Sequence, residues 1–318
     1  MNKNVTPAVE GGLLTAIAVI LGLAATYLPI AGAVVEFFCP IPFVILTVKR
    51  GLKIGIAALL VSFILMTLFA GPILSLRIVL TLNVCGVVLG FCVSKKFSTV
   101  KSFVATFLSA AISQMILIIF LSVAMDINFA DSELSALKEG FADAFNFYET
   151  AGIDQQALIE MRGQITKVVE LMSYLIPTIL ILIALINTVA CYITSRWIFK
   201  KLQMEFIAPL PNFSEWRFPV FFLYLTAFAV IGMYWGETRD WNFIFTAAMN
   251  ILIFSTGIGL IQGFSILSFF ADRYNVSKFW RRFFYLLILL NGLLTQILSF
   301  AGLFDMLFDY RKKFSDEK

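Results

Sequence analysis

Long apolar, uncharged stretches alternate with short polar ones along most of the chain. The 23 residues between Lys53 and Arg77 carry no charge, and neither do 102–125. Each such stretch is long enough to cross roughly 30 Å of hydrocarbon as an α-helix. We therefore predict an all-α, polytopic transmembrane helical bundle of about eight or nine spans. The predicted spans are 10–29, 34–48, 54–71, 74–94, 101–125, 166–197, 218–236, 243–271 and 282–304.

The composition supports this class. Hydrophobic residues make up 60% of the 318 residues and charged residues 14%, whereas a soluble domain carries about a quarter charged residues. The start, MNKNVTPAVEGG, has one basic residue, so we expect no cleavable signal peptide and a first apolar stretch that stays as a helix.

Basic residues cluster in alternate loops, at 49–53, 95–101, 196–217 and 272–282. Because cytoplasmic loops are enriched in Lys and Arg, we expect these loops and the N-terminus to face the cytoplasm of a bacterial cell membrane. Nine spans would place the tail cations Arg311, Lys312 and Lys313 outside. Either the rule is overridden there or one span is miscounted, and 34–48 and the last segment are the candidates.

The longest loop between spans, 126–165, is acidic. It holds eight Asp and Glu residues against Lys138 and Arg162, and we expect it to be extracytoplasmic. Its apolar residues recur at helical spacing, which predicts a helix lying on the membrane surface or capping the bundle. These residues are Leu134, Leu137, Phe141, Phe145 and Tyr148.

The second predicted span contains Glu36, Pro40 and Pro42. Proline removes a backbone donor and disrupts a helix, and freed backbone groups in a membrane are tolerated only where protein or water covers them. We therefore predict that this span is short or broken and faces the bundle interior. Interrupted spans often border substrate sites in transporters.

Glu36 and Arg77 are predicted at similar depth on the extracytoplasmic side. Ionisable groups inside spans are costly and usually pair or touch a water-filled cavity. Two interpretations stay open. In the first, the residues are structural and either pair with each other or reach the membrane surface independently. In the second, one or both residues line a ligand cavity.

Uncharged amides also lie deep in the predicted spans. Such side chains usually bond between helices, although several in one cavity would form a binding site. They are Asn83, Gln114, Asn187, Asn250, Gln262, Asn291 and Gln296. The substrate-binding candidates are Glu36, Arg77, Asn83 and Gln114.

The first span carries small residues at intervals of four, Ala8, Gly12 and Ala16, and again Ala18 and Gly22. This spacing lets another helix approach closely. The strip Ala8, Gly12 and Ala16 is either an internal packing face or a docking face for another membrane protein.

Several chemistries are excluded or disfavoured. With no histidine, His-ligated metal sites and Ser–His or Cys–His catalysis cannot occur. The four cysteines lack CxxC spacing and no P-loop is present, so we expect no metal, no cofactor and no ATPase on this chain. The net charge of +4 does not suggest nucleic acid. Asp305 and Asp309, four residues apart, could hold a divalent ion, but nearby Arg311 favours a solvated ion pair.

The sequences GLLTAIAVILGLAATYLPIAG and PIPFVILTVKRGLKIG, followed by spans as far as 197, resemble the substrate-binding subunits of energy-coupling factor transporters. The resemblance implies a six-helix bundle over 1–200 with a cytoplasmic N-terminus and a ligand pocket closed by extracytoplasmic loops. It also implies that the first helix contacts separate transmembrane coupling and ATPase subunits. Here Gly12 and Ala16 replace the alanine pair of that family.

The whole chain also resembles the YybS-like family of bacterial membrane proteins. IQGFSIL at 261–267 and the ending GLFDMLFDYRKK, with Gly302, Asp305, Asp309 and Arg311, carry this resemblance. It implies a C-terminal membrane extension over 201–318, with two or three helices and a charged tail, and it names no substrate.

Three functional hypotheses follow. The first is a substrate-capture subunit for uptake of a small molecule, vitamin-like or nucleobase-like, energised by ATPases on other chains. The second is a scaffold or assembly protein of the bacterial envelope without transport activity. The third, an intramembrane enzyme using carboxylate, Arg or Lys chemistry, is the least supported, so we expect no enzymatic activity.

Overall fold

The computed structural model describes residues 7–125, 129–150, 155–204 and 207–315. Every regular element in these ranges is helical, which confirms the predicted class. The α-helices are α1 Pro7–Tyr27, α2 Ala31–Glu36, α3 Ile41–Arg50, α4 Leu52–Ala70, α5 Pro72–Ile78, α6 Val84–Ser94, α7 Thr99–Met125, α8 Phe129–Thr150, α9 Gln155–Lys201, α10 Phe221–Thr238, α11 Asn242–Arg273, α12 Lys278–Leu290, α13 Gly292–Phe308 and α14 Tyr310–Ser315. A π-helical segment, Val79–Asn83, joins α5 to α6, and a 3₁₀ turn covers Phe213–Glu215.

By length and composition, seven segments of the described chain can cross a membrane, or eight if the bent pair α12–α13 is one span. The seven are Val9–Tyr27, Ala31–Arg50, Leu52–Ala70, Pro72–Ser94, Thr99–Ala124, Tyr174–Lys201 and Asn242–Arg273. The predicted span at 218–236 forms α10, which is not among them. The structure thus reduces the nine predicted spans to seven or eight and keeps the polytopic class.

The chain divides into two compact units. Met1–Ala136 and Ile179–Pro209 form unit 1, and Leu137–Thr178 and Leu210–Lys318 form unit 2. The segment 137–178 therefore groups with the C-terminal helices, whereas the division predicted from the sequence placed it with residues 1–200.

The second span of unit 1 is broken and buried, as predicted. α2 ends at Glu36, a turn follows, and α3 begins at Ile41 after Pro40. Proline is tolerated at this point because the first turn of a helix has no intrahelical partner for its N–H groups. In this span 56% of the residues are buried, against 22% in the first span. The prolines therefore start α3 rather than interrupt it.

Close contact with α6 holds α3 inside unit 1. A Cβ added at Gly90 would come within 2.8 Å of the Val44 carbonyl oxygen and of Thr47 Cβ. Phe43 and Leu46 of α3 pack in the buried core beside Ala18 of α1. The small residues of α6 thus allow the broken span to lie at the centre of the unit.

In unit 2, α10 packs antiparallel to α11, and α13 packs against both α11 and α10. Thr226 Oγ1 donates to Ser255 Oγ at 2.9 Å, and the Phe218 N–H donates to Gln262 Oε1 at 3.2 Å. A Cβ added at Gly302 would collide with the backbone of Gly259. Glycine at 302 therefore lets α13 approach α11 backbone to backbone.

The last predicted span is not one straight helix. α12 and α13 meet at an angle of 105°. The Arg273 guanidinium at the end of α11 donates to the Phe314 carbonyl of α14, and the rings of Phe270 and Phe314 lie 5.4 Å apart. The chain therefore leaves α11, passes through α12 and α13, and returns to the same end of unit 2. Two of the nine predicted spans, 218–236 and this last segment, are not among the seven, so the miscount lies in one of these two.

Candidate functional site

The structure does not bring the two charged candidates together. Glu36 is the half-buried last residue of α2, while Arg77 is exposed on α5. No ion pair joins them within the described part of the chain. The ion-pair interpretation is therefore not supported, and neither residue lines either of the two cavities described below.

The span that contains Arg77 changes helical form at its centre. Val79–Asn83 adopts a π-helical turn, which widens the helix and disturbs the regular i to i−4 bonding. Asn187 Nδ2 of α9 donates to the Thr81 carbonyl at 3.4 Å. Such turns are frequent at functional sites. No sequence signal predicted it, because VLTLN reads as ordinary apolar helix.

Asn83 closes the π-helical segment and is the most unusual polar residue of unit 1. It is completely buried, and neither Oδ1 nor Nδ2 has a hydrogen-bond partner among the residues that the structure describes. Gln114 Oε1 of α7 is also without a partner, on a residue that is 5% exposed. Because α7 packs on the π-helical segment, the two amides lie on neighbouring elements. Each unsatisfied buried group costs about 1–3 kcal/mol.

Amides elsewhere in the spans behave differently. Asn250 Oδ1 accepts from Thr178 Oγ1 at 2.7 Å, and its Nδ2 donates to the Tyr174 carbonyl at 2.5 Å. Gln262 bonds to α13 and to the Phe218 N–H, and Asn291 Oδ1 caps α13 by accepting from the Leu294 N–H. Bonding between or within elements thus accounts for these residues, but not for Asn83.

The small residues of α1 serve two different faces. Gly12 and Ala16 are exposed, and a Cβ added at Gly12 would meet nothing within 4 Å. Ala18 is buried, and Gly22 lies against Met66 of α4. Gly12 and Ala16 therefore lie on the exposed face of α1, and Ala18 and Gly22 lie on its buried face. The side chain of Ala8 lies outside the described residues.

One end of unit 1 is fixed by charge. Glu10 of α1 pairs with Lys49 Nζ at 2.6 Å and with Arg50 Nη2 at 2.5 Å. The start of the first span and the end of the second therefore share one end of the unit.

A cavity of about 360 Å³ lies elsewhere in unit 1, between Lys96, Ser102, Tyr192 and the segment 207–208. It is separate from Asn83 and Gln114.

The C-terminal motif forms a buried polar cluster in unit 2. Asp305 Oδ2 accepts from Gln262 Nε2 at 2.6 Å, and Asp305 Oδ1 accepts from the Tyr310 N–H at 2.9 Å. Asp305 Oδ2 also lies 3.6 Å from Arg311 Nη2, with both side chains 3% exposed. The expectation of a solvated ion pair is wrong for these two residues, because the turn after α13 folds Arg311 back into the unit.

Arg311 connects this cluster to the segment before α10. Its Nη1 donates to the Ser214 carbonyl at 2.5 Å, and its Nη2 donates to the Trp216 carbonyl at 3.0 Å and to Ser265 Oγ at 3.1 Å. Burial lowers the pKa of the Arg311 guanidinium, and the negative charge of Asp305 opposes this shift. The cluster thus fastens the tail to unit 2.

Asp309 has a different partner from Asp305. Its Oδ2 lies 2.7 Å from Arg217 Nη1 in an exposed pair, and its backbone, with φ 44°, ends α13. The two carboxylates therefore do not converge on a shared ion. Among the described residues, no group of three or more His, Cys, Asp or Glu side chains could hold a metal. Gly302 packs against α11 one turn before Asp305. The contacts of the motif residues therefore stabilise the fold of unit 2.

Comparisons with known proteins agree with this architecture. Residues 16–306 match the family described as "Predicted membrane protein (DUF2232)". The chain is 23% identical over 321 residues to the protein named "Uncharacterized protein YybS" of Bacillus subtilis (strain 168), covering 98% of this chain and 99% of that one. No solved structure matches the chain, so the similarity to energy-coupling factor subunits stays a prediction. Because the family match covers most of its length, the chain belongs to the DUF2232 family of predicted membrane proteins.

Proposed function

We propose that the protein is a non-enzymatic membrane protein whose unit 1 captures a small, uncharged polar molecule for uptake. The observation that carries this proposal is the buried, unpartnered amide of Asn83 in a π-helical turn. Natural proteins rarely leave such groups unpaired, and a bound ligand or ordered water is the usual explanation. The helices around Asn83 supply no bond to it.

The chemistry of the two amides favours one class of ligand. Asn83 offers two donors and an acceptor, and Gln114 Oε1 offers a further acceptor. A neutral molecule with adjacent N–H and C=O groups, such as a nucleobase-like or vitamin-like heterocycle, complements this set. A charged ligand is disfavoured, because neither Asn83 nor Gln114 supplies a compensating charge.

Uptake would need partners on other chains, because the sequence has no P-loop. We assign the exposed strip of Gly12 and Ala16 on α1 as the surface that binds a transmembrane coupling subunit. ATPase subunits on separate chains would supply the energy for uptake. The N-terminus then faces the cytoplasm of the bacterial cell, in line with the basic loop that begins at Lys49 and with the Glu10 ion pairs at that end.

Equilibrium binding to the purified full-length protein tests the proposal. We expect one molecule from a panel of radiolabelled neutral vitamins and nucleobases to bind stoichiometrically to the wild type. Asn83→Leu should abolish binding while raising thermal stability, because it removes the unpaired amide. Gln296→Leu, at an exposed amide of α13, is the matched control and should change neither property.

Two outcomes would overturn the proposal. One is equal binding by the wild type and Asn83→Leu. The other is no binding by the wild type, combined with recovery of an envelope protein and no ATPase in pull-downs; that result favours the scaffold hypothesis.

A further inference from the structure

A second cavity lies in unit 2, between α8 and the first turns of α9. Its volume is about 290 Å³, near the lower limit of about 300 Å³ for small-molecule sites. Phe141, Phe145, Ile165 and Val169 form its floor. Phe145 and Val169 are among the buried core residues of the chain. The floor is therefore an apolar surface to which both α8 and α9 contribute.

The rim of this cavity carries an unusual charge pattern. The segment 126–165 has eight acidic residues and two basic ones, Lys138 and Arg162. Both basic side chains line the cavity. Both basic residues of this acidic segment therefore lie beside one apolar floor.

The two cations are held differently. The Arg162 guanidinium lies 5.1 Å from the centroid of the Phe145 ring, and its Nη2 donates to Glu149 Oε1 at 2.7 Å. This bond uses one of five guanidinium donors, so others remain for a ligand. Lys138 forms no ion pair with any residue that the structure describes. Among these residues, no carboxylate competes with an anionic ligand for its ammonium.

We infer that this cavity binds an amphipathic carboxylate with a single apolar chain, such as a medium-chain fatty acid. The carboxylate lies between Lys138 and Arg162, and the chain covers Phe141, Ile165 and the other floor residues. Charge complementarity selects the anion, and the small volume limits it to one chain. This site is independent of the solute site in unit 1.

Photolabelling of the full-length protein in phosphatidylcholine nanodiscs tests the inference. The probe is decanoate with a diazirine at the end of its chain, and the labelled residues are mapped by mass spectrometry. We expect labelling within 137–169. The diazirine-bearing decanol, which lacks the charge, should label this segment about tenfold less, in line with the loss of one charge-assisted interaction.

Variants separate binding from folding. Lys138→Gln and Arg162→Gln should each lower labelling, and Arg239→Gln should not. Arg239 is the matched control because its guanidinium also stacks on an aromatic ring, that of Trp241, at 5.1 Å. Glu149→Gln should increase labelling, since it removes a competing carboxylate, and a misfolded variant would not give that gain. Equal labelling by the alcohol, or full labelling in the Lys138→Gln and Arg162→Gln double variant, would overturn the inference.

Discussion

Asp305 Oδ2 and Arg311 Nη2 lie 3.6 Å apart, and only 3% of each side chain is exposed. This pair joins the end of α13 to α14. The Arg311 guanidinium also donates hydrogen bonds to the carbonyls of Ser214 and Trp216. Two charges are costly to bury, but removal of one partner leaves the other uncompensated. The tail of the chain is therefore part of the folded core of unit 2.

The first prediction concerns this buried pair. Arg311→Gln should destabilise unit 2 by about 3–5 kcal/mol, because it leaves Asp305 charged and buried. Thermal unfolding of the detergent-solubilised protein measures the loss, and hydrogen exchange should rise in 213–217. Arg217→Gln is the matched control, since its pair with Asp309 is exposed and worth about 0–1 kcal/mol. Equal losses of thermal stability in the two variants would contradict the larger contribution expected of the buried Asp305–Arg311 pair.

The second prediction concerns the contact between α13 and α11. Gly302→Ala should destabilise the protein by about 1–3 kcal/mol, because the added methyl collides with the Gly259 backbone. Gly257→Ala, on α11 with no atom within 4 Å of the added Cβ, should be neutral or stabilising, because alanine favours helix. Thermal unfolding distinguishes them. A neutral Gly302→Ala would contradict the close packing.

The third prediction concerns the side on which the tail lies. The Arg273–Phe314 contact puts the tail at the same end of unit 2 as the basic loop 272–282. A C-terminal green fluorescent protein fusion should therefore fluoresce in cells, and a C-terminal alkaline phosphatase fusion should be inactive. Fusions after residue 240, between α10 and α11, should give the opposite pattern, because the basic loops 196–217 and 272–282 can share one side only if α10 crosses the membrane together with α11. An active phosphatase at the C-terminus would show that α12 and α13 cross the membrane as one span.

The fourth prediction separates the two faces of α1. Gly22→Leu should cost about 1–3 kcal/mol, because its side chain meets Met66 in the core. Gly12→Leu should leave stability nearly unchanged and should block co-purification of a coupling subunit. Thermal unfolding and pull-downs from the native membrane measure the two effects. Unchanged recovery of such a subunit with Gly12→Leu would count against docking on this face.

Much of the membrane architecture could be predicted from the sequence, because apolar runs and prolines act locally. The pattern predicted the helical class and the broken, buried second span at Pro40 and Pro42. It did not predict the bend between α12 and α13, because Asn291 was interpreted as one of the amides within a continuous span, whereas it caps the start of a new helix.

The candidate site was only partly predictable, because burial of a polar side chain depends on its neighbours in space. Asn83 and Asn250 look alike as amides within apolar runs. In the folded chain Asn250 finds Thr178 and Tyr174, whereas Asn83 finds no partner. Likewise the sequence predicted a solvated pair for Asp305 and Arg311, because the carbonyls that hold Arg311, those of Ser214 and Trp216, lie 97 and 95 residues away along the chain.

Native mass spectrometry of the full-length protein, purified from its own cells, tests the central claim most directly. We predict that the wild type and Gln296→Leu carry one small neutral molecule and that Asn83→Leu is free of it. The same bound mass in the wild type and in Asn83→Leu would contradict a solute site at the π-helical turn.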